Sequence, residues 1–226
     1  MTSESVREQF TADLRHIDQA TSRLLTSIAT VNDEQITAPS RLPGWTVGHC
    51  LTHIARNADG IAKLVIWAVT DVRTPMYPSM ESRDAEIDQG AGRSATALRE
   101  DVAASASRLS TAMTELAQAD SAALERLVIF GAPPPSTPPN TPASQLGFAR
   151  WREVTIHHAD LGLPDFGYAD FDDEFVARTL AFIEDRSGPV NVSGPAVDLL
   201  TWRLGRGTPT SLRDENGNPP GAAPAW

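Results

Sequence analysis

Two short histidine clusters carry the residue types and spacings most able to do chemistry. His49 and His53 lie four apart in LPGWTVGHCLTHIARNADG, and Glu153 and His157 lie four apart in RWREVTIHHADLG, with His158 beside them. The fifth histidine, His16, stands apart from both clusters. A spacing of four puts two side chains on one face of a helix, one turn apart. Two helices that each present such a pair can close three or four ligands around a divalent cation, and imidazole with carboxylate is a zinc-type donor set. The alternative is a hydrogen-bonded Glu–His pair with no ion, and the spacing leaves both readings open. Either way the carboxylate needs a partner, because burying it alone costs several kcal/mol or drives it to its neutral form.

The neighbours of these residues have weaker assignments. His49 reads as a ligand or as a support for one. His158 lies about 100° round the helix from His157 and reads as a surface or packing histidine. Cys50 sits three residues before His53. It could approach a cation, but small buried thiols are common core fillers, and packing is the stronger reading. Arg152, just before Glu153, reads either as a support for that carboxylate or as half of a surface ion pair. Trp45 follows the Pro43-Gly44 turn signal and packs the helix entry or walls a pocket.

Helices must position these residues. Val6, Phe10, Leu14, Ile17, Leu24 and Ile28 form one helical stripe, which predicts a helix over roughly 4–30. Thr46 is the expected N-cap of a second helix running to about Ala68. Pro75, Pro78, Gly90 and Gly92 make 70–93 read as irregular. Ser94 to about Gln118 is rich in Ala, Leu, Arg and Glu and predicts a third helix. GAPPPSTPPNTP reads as a stiff connector or flap. Thr141 is expected to cap a fourth helix, with Pro142 in its first turn and Gly162 at its end. On that helix Leu146, Ala149, Glu153, His157 and Asp160 share a stripe, so Glu153 and His157 should face inward. Four such helices predict an antiparallel bundle over 1–167. Over 168–226 the pattern predicts a small α/β unit: a helix at Asp172–Asp185, a strand at 190–192, a helix at Pro195–Leu204, and a Gly/Pro-rich tail after about Thr208.

Composition narrows the partners. The 226 residues suffice for a sizeable core, with 41% apolar and 21% charged residues. A net charge of -10 argues against nucleic acid and anionic lipid, though a few arginines can still build a local anion pocket. The acid-bearing start MTSESVREQF does not read as a signal peptide. The longest apolar stretch, Ile61 to Val69, is too short to span a bilayer and contains Lys63. A lone cysteine excludes an intramolecular disulfide, and together these features predict a cytoplasmic, reducing location. The oligomeric state is not legible in the sequence.

Four segments carry a resemblance: LPGWTVGHCLTHIARNA, TPMYPSMESRDAEI, REVTIHHADLG and VDLLTWRLGRG. In this order they resemble the mycothiol-dependent maleylpyruvate isomerases, within the wider DinB-like metal-binding helical bundles. The resemblance runs from about residue 42 to 207. It implies a mainly α fold, a DinB-like four-helix bundle with a small C-terminal unit. It also implies three ligands to a divalent metal, usually zinc, at His53, Glu153 and His157. Arg206 of the closing Gly-Arg-Gly is implied as a substrate partner. Arg83, from the Ser-Arg-Asp-Ala-Glu-Ile match, is a second and weaker catalytic choice, since it also reads as a solvated loop arginine. Two departures stand out: the segment between Asp185 and Val190 is short, which reads as a trimmed C-terminal unit, and the proline-rich segment fits poorly.

The implied reaction, a step of aromatic catabolism, turns maleylpyruvate into fumarylpyruvate. A thiolate adds to an electron-poor cis double bond, the resulting single bond rotates, and elimination leaves the trans product. The implied partners are the low-molecular-weight thiol mycothiol and a small anionic substrate. A mycothiol S-transferase acting on other electrophiles, or a non-enzymatic metal-binding bundle, would use the same scaffold.

Overall fold

The computed structural model describes residues 2–131, 134 and 137–224. The chain divides into two compact units, Met1–Gly162 and Leu163–Trp226. In the first, α1 (Ser3–Ile28) is capped by Thr2 and buries Phe10, Ile17, Leu24 and Ile28. A single turn of helix, α2 (Asp33–Thr37), follows, its capping box made by Asn32 and Gln35. The central element is α3 (Val47–Thr70), which buries residues on nearly all its faces from Val47 to Ala68. Then come α4 (Met80–Ala91), α5 (Ala95–Gln118), the short α6 (Ser121–Glu125) and, after a two-stranded ribbon, α7 (Leu146–Asp160).

The long helices α1, α3, α5 and α7 form the bundle. His16 stacks on Trp151 and Ser27 meets His158, so α1 and α7 run in the same direction. Arg56 pairs with Asp101 and Arg108 with Asp59, so α3 and α5 also run together. His53 faces Glu153 while Arg150 reaches Asn57, so α3 and α7 are antiparallel. Two parallel pairs thus pack antiparallel to each other, and the expected mainly α, DinB-like bundle is observed.

A parallel α3–α5 pair needs a return connection, and α4 supplies part of it. The reading of 70–93 as irregular is therefore corrected. Ser79 caps α4 by accepting from the Ser82 N–H, but only Ile87, Gly90 and Ala91 of this helix are buried, which left no apolar stripe to read. Glycines at the contact let the two helices touch. A Cβ at Gly48 would run into the Ala91 carbonyl, and one at Gly90 would run into the Thr52 side chain.

Other boundaries shift for local reasons. Thr141 does not cap a helix: Thr141–Pro142 is strand β2, pairing antiparallel with β1 (Leu127–Val128). A 3-10 turn over Ala143–Gln145 then leads into α7. The expected connector or flap falls partly on residues 132, 133, 135 and 136, which lie outside those described.

The second unit holds α8 (Asp173–Ser187), β3 (Val192–Ser193), α9 (Ala196–Arg203) and β4 (Arg213–Asp214). Asp172 caps α8, and Phe171 packs edge-on against Phe175 at 5.0 Å between ring centroids. Arg203 ties the end of α8 to α9 by donating to Ser187 Oγ and the Gly188 carbonyl. The stretch after Thr208 is not merely a tail. Strand β4 pairs antiparallel with β3, Leu212 is fully buried, and Trp202 Nε1 donates to the Gly221 carbonyl at 2.7 Å. Strands of two residues are too short to show alternation. Among the described residues no helix is long and apolar enough to cross a membrane.

The α3–α4 contact yields a test. Ala has a better helix propensity than Gly by about 1 kcal/mol. Even so, Gly48→Ala should lower stability by about 1–3 kcal/mol, because its Cβ meets backbone that cannot swing away. Thermal denaturation against Gly92→Ala, where a Cβ would meet nothing within 4 Å, provides the comparison.

Candidate metal centre

The first turn of α3 is fixed by an unusual capping box. Thr46 Oγ1 accepts from the His49 N–H, and His49 Nδ1 accepts in return from the Thr46 N–H at 3.1 Å. His49 is thus a capping residue, with its Nε2 directed to Asp88 at 3.7 Å. The ring of Trp45 stacks on His49 and meets His53 edge-on at 5.6 Å. One turn further into α3, His53 points across to α7.

There the trio closes. His53 Nε2 lies 3.1 Å from Glu153 Oε2, and His157 Nε2 lies 3.7 Å from the same oxygen. One donor atom from each of the three residues lies within 4.8 Å of the other two. A tetrahedral ion with bonds of about 2 Å keeps its ligand atoms roughly 3.3 Å apart, so the donor set fits one cation. Three protein donors also leave a position open, as in catalytic zinc sites.

His157 is already oriented for this role. Its Nδ1 lies 2.9 Å from Oδ2 of Asp160, whose side chain is 0% exposed. A carboxylate at Nδ1 holds the hydrogen there and leaves the Nε2 lone pair free, the usual support for a ligating histidine. The Leu146–Asp160 stripe therefore delivers both a ligand and its support from one helix.

The protonation states also suit a cation. Burial pushes the His53 pKa down to about 4, helped by the charge of His157 and opposed by Glu153, so the ring is neutral at pH 7. Burial alone would raise the Glu153 carboxyl. The hydrogen bond to His53 and the charges of His53, His157 and Arg150 overcome this and hold it down to about 2. An anionic carboxylate between imidazoles is a metal-ready arrangement.

The site also gathers residues from outside the histidine clusters. Arg83 of α4 places Nη2 3.1 Å from His53 Nδ1, while its Nη1 donates to Asp84 at 2.6 Å. Tyr77, nearly buried, feels the charges of Glu153 and Arg83; burial is the main reason its pKa rises to about 12, so it stays a hydroxyl. Arg150 is fully buried. It donates through Nη1 to the Ile54 carbonyl and to Asn57 Oδ1, and burial lowers its pKa to about 10. Tyr77 and Arg150 were missed in the sequence. A tyrosine between two prolines gave no signal of its own, whereas Arg150, four residues after Leu146 and three before Glu153, lies on the same helix face and could have been found as Glu153 was.

Among the described residues, Cys50 and His158 do not join His53, Glu153 and His157 in a group of donors that could share a cation. Cys50 is fully buried and in no disulfide. Arg152 lies over the Phe148 ring at 5.0 Å. His158 is a packing residue, 2.8 Å from Ser27 Oγ. Arg206 belongs to the second unit, where its Nη1 donates to the Leu204 carbonyl and its N–H to that of Thr201.

Comparison with known proteins bears on this geometry. A family model described as the mycothiol maleylpyruvate isomerase N-terminal domain matches residues 17–162. A crystal structure of the mycothiol-dependent maleylpyruvate isomerase is similar at 26% identity, with a TM-score of 0.82, over 96% of this chain and 97% of that one. A histidine-to-alanine mutant of that enzyme is similar at 25% identity, with the same TM-score and coverage. With 97% of that chain covered, the expected trimming of the C-terminal unit is not seen. No curated protein matches.

Two outcomes follow. Asp160→Asn should weaken zinc binding roughly 10–100-fold with the three ligand residues intact, measured by competition with a chromogenic chelator. In the chelator-treated protein, the unfolded chain protonates His53 below pH 6.5, whereas the folded chain resists until about pH 4. Stability should therefore fall with pH across that window. Between pH 6.5 and 4.5 the loss owed to His53 should be about 2 kcal/mol, read as the difference between wild type and His53→Gln in denaturant titrations.

Proposed function

Because the chain belongs to the mycothiol maleylpyruvate isomerase N-terminal domain family, we propose that it is a mycothiol-dependent maleylpyruvate isomerase, converting the cis double bond of maleylpyruvate to the trans form. The observation that carries this reading is the convergence of His53, Glu153 and His157 from two antiparallel helices, with Asp160 behind His157.

His53, Glu153 and His157 would hold a divalent cation, and two imidazoles with a carboxylate favour zinc. When bound, it supplies Lewis acidity toward a thiol or a keto oxygen. Mycothiol supplies a nucleophile whose reversible addition makes the double bond single long enough to rotate.

The chain's own residues prepare that chemistry. Asp160 holds the Nδ1 proton of His157 and keeps Nε2 available. At neutral pH His53 carries no charge and Glu153 is ionised. Tyr77 keeps its hydroxyl proton and serves as a donor beside Arg83. The substrate carries two carboxylates, for which guanidinium groups are the natural bidentate partners. Arg83 is proposed for one on its place at the trio, and Arg206 for the other on the resemblance alone. The burial of Cys50 favours an external thiol as the nucleophile. A reducing, cytoplasmic setting would keep that thiol available.

The test follows maleylpyruvate by absorbance with and without mycothiol. Thiol-dependent loss is expected from the zinc-loaded protein, and His53→Ala and His157→Ala should each lose both bound zinc and turnover. Stable mycothiol adducts of a model electrophile without isomerisation would favour the S-transferase. Bound zinc without any turnover would favour a binding bundle.

A further inference from the structure

We propose that Arg83 is a metal-responsive arm: its hydrogen bond to His53 and a cation on the trio exclude each other, so loading the site frees the guanidinium for a substrate carboxylate. This rests on the reading that the trio holds a cation.

The inference comes from counting donors. A guanidinium has five N–H donors and no acceptor. At 3.1 Å from His53 Nδ1, Arg83 Nη2 must donate and the ring nitrogen must accept. A neutral imidazole carries one N–H, which is then on Nε2. That nitrogen sits 3.1 Å from Glu153 Oε2, an acceptor placed to receive it. The chain from Arg83 through His53 to Glu153 is therefore satisfied in one tautomer.

A ligating Nε2 needs the opposite tautomer, with its lone pair free and the hydrogen on Nδ1. Nδ1–H would then face the Arg83 N–H groups, donor against donor. The two imidazoles differ on this point. Asp160 presets His157 as a ligand, whereas Arg83 sets His53 against becoming one. Arg83 has another anchor when it lets go of His53: Asp84 at 2.6 Å. Its side chain is 19% exposed, so a small anion can reach it.

The experiment has two arms, neither of which reads activity. Imidazole 15N spectra of chelator-treated protein should show His53 protonated on Nε2 and bare on Nδ1, and zinc should reverse the assignment. A His53 already protonated on Nδ1 without zinc overturns the proposal. In chelator competition, Arg83→Gln should bind zinc about tenfold or more tighter than wild type, because the glutamine Oε1 can accept from Nδ1–H. Arg83→Met, which removes the charge but offers no acceptor, should gain less. Equal gains in both variants reduce the effect to charge alone and overturn the arm. Equal zinc affinity in wild type and Arg83→Gln overturns the arm while leaving the metal reading in place, and zinc binding to neither overturns both.

Discussion

An ionised carboxylate held between one buried and one half-buried imidazole is the constraint around which the first unit is organised. Removing Glu153 from water is unfavourable, and burial alone would raise its pKa. Three groups reverse this: the hydrogen bond to His53, the His157 ring, and the buried guanidinium of Arg150 one turn earlier on α7. Each in turn needs its own support. His157 leans on Asp160, and Arg150 donates into the Ile54 carbonyl and Asn57 of α3. The polar interior is thus a connected network in which most members donate to or accept from a named neighbour. Such networks hold a defined geometry when satisfied and are costly when broken. The α3–α7 interface is defined as much by this network as by apolar packing.

The topology explains why a fourth segment enters the site. Because α3 and α5 run parallel, the chain must return along α3 before α5 begins. The return passes Met76 and Tyr77, which crowd Gly60, and then α4, whose Gly90 and Ala91 press on Thr52 and Gly48. Small residues on both sides of that contact bring α4 close enough for Arg83 to touch His53. A connection required by topology has become one wall of the site, and it adds a cation and a phenol to a trio drawn from the bundle helices.

What the sequence disclosed follows from the length scale of each signal. His53, Glu153 and His157 were legible because helical spacing is strict and an acid on an apolar stripe stands out. The four long helices were legible for the same reason, with Thr46 marking the start of α3. Helix α4 was not, because Pro75 and Pro78 before it and Gly90 and Gly92 at its end resemble loop punctuation, and only three of its residues are buried. The capping role of His49 was hidden because a capping box normally places Glu or Gln at that position. Ribbons of two residues offer no period to detect, so β1, β2 and β4 were lost, and a paired C-terminal segment read as tail. Tyr77 acts through tertiary neighbours that no local pattern names.

The asymmetry between the two histidines has a thermodynamic consequence. One imidazole is held in the ligand tautomer by an acceptor at its back, and the other is held out of it by a donor. If Arg83 on His53 and a cation on the trio are exclusive, then anything that occupies Arg83 favours the cation. By linkage, the cation must favour whatever occupies Arg83 to the same degree. A carboxylate substrate is such an occupant, since it offers the guanidinium a charge-assisted acceptor in place of a neutral ring nitrogen. The substrate and the cation would then strengthen each other's binding through the choice of which nitrogen of His53 carries the hydrogen.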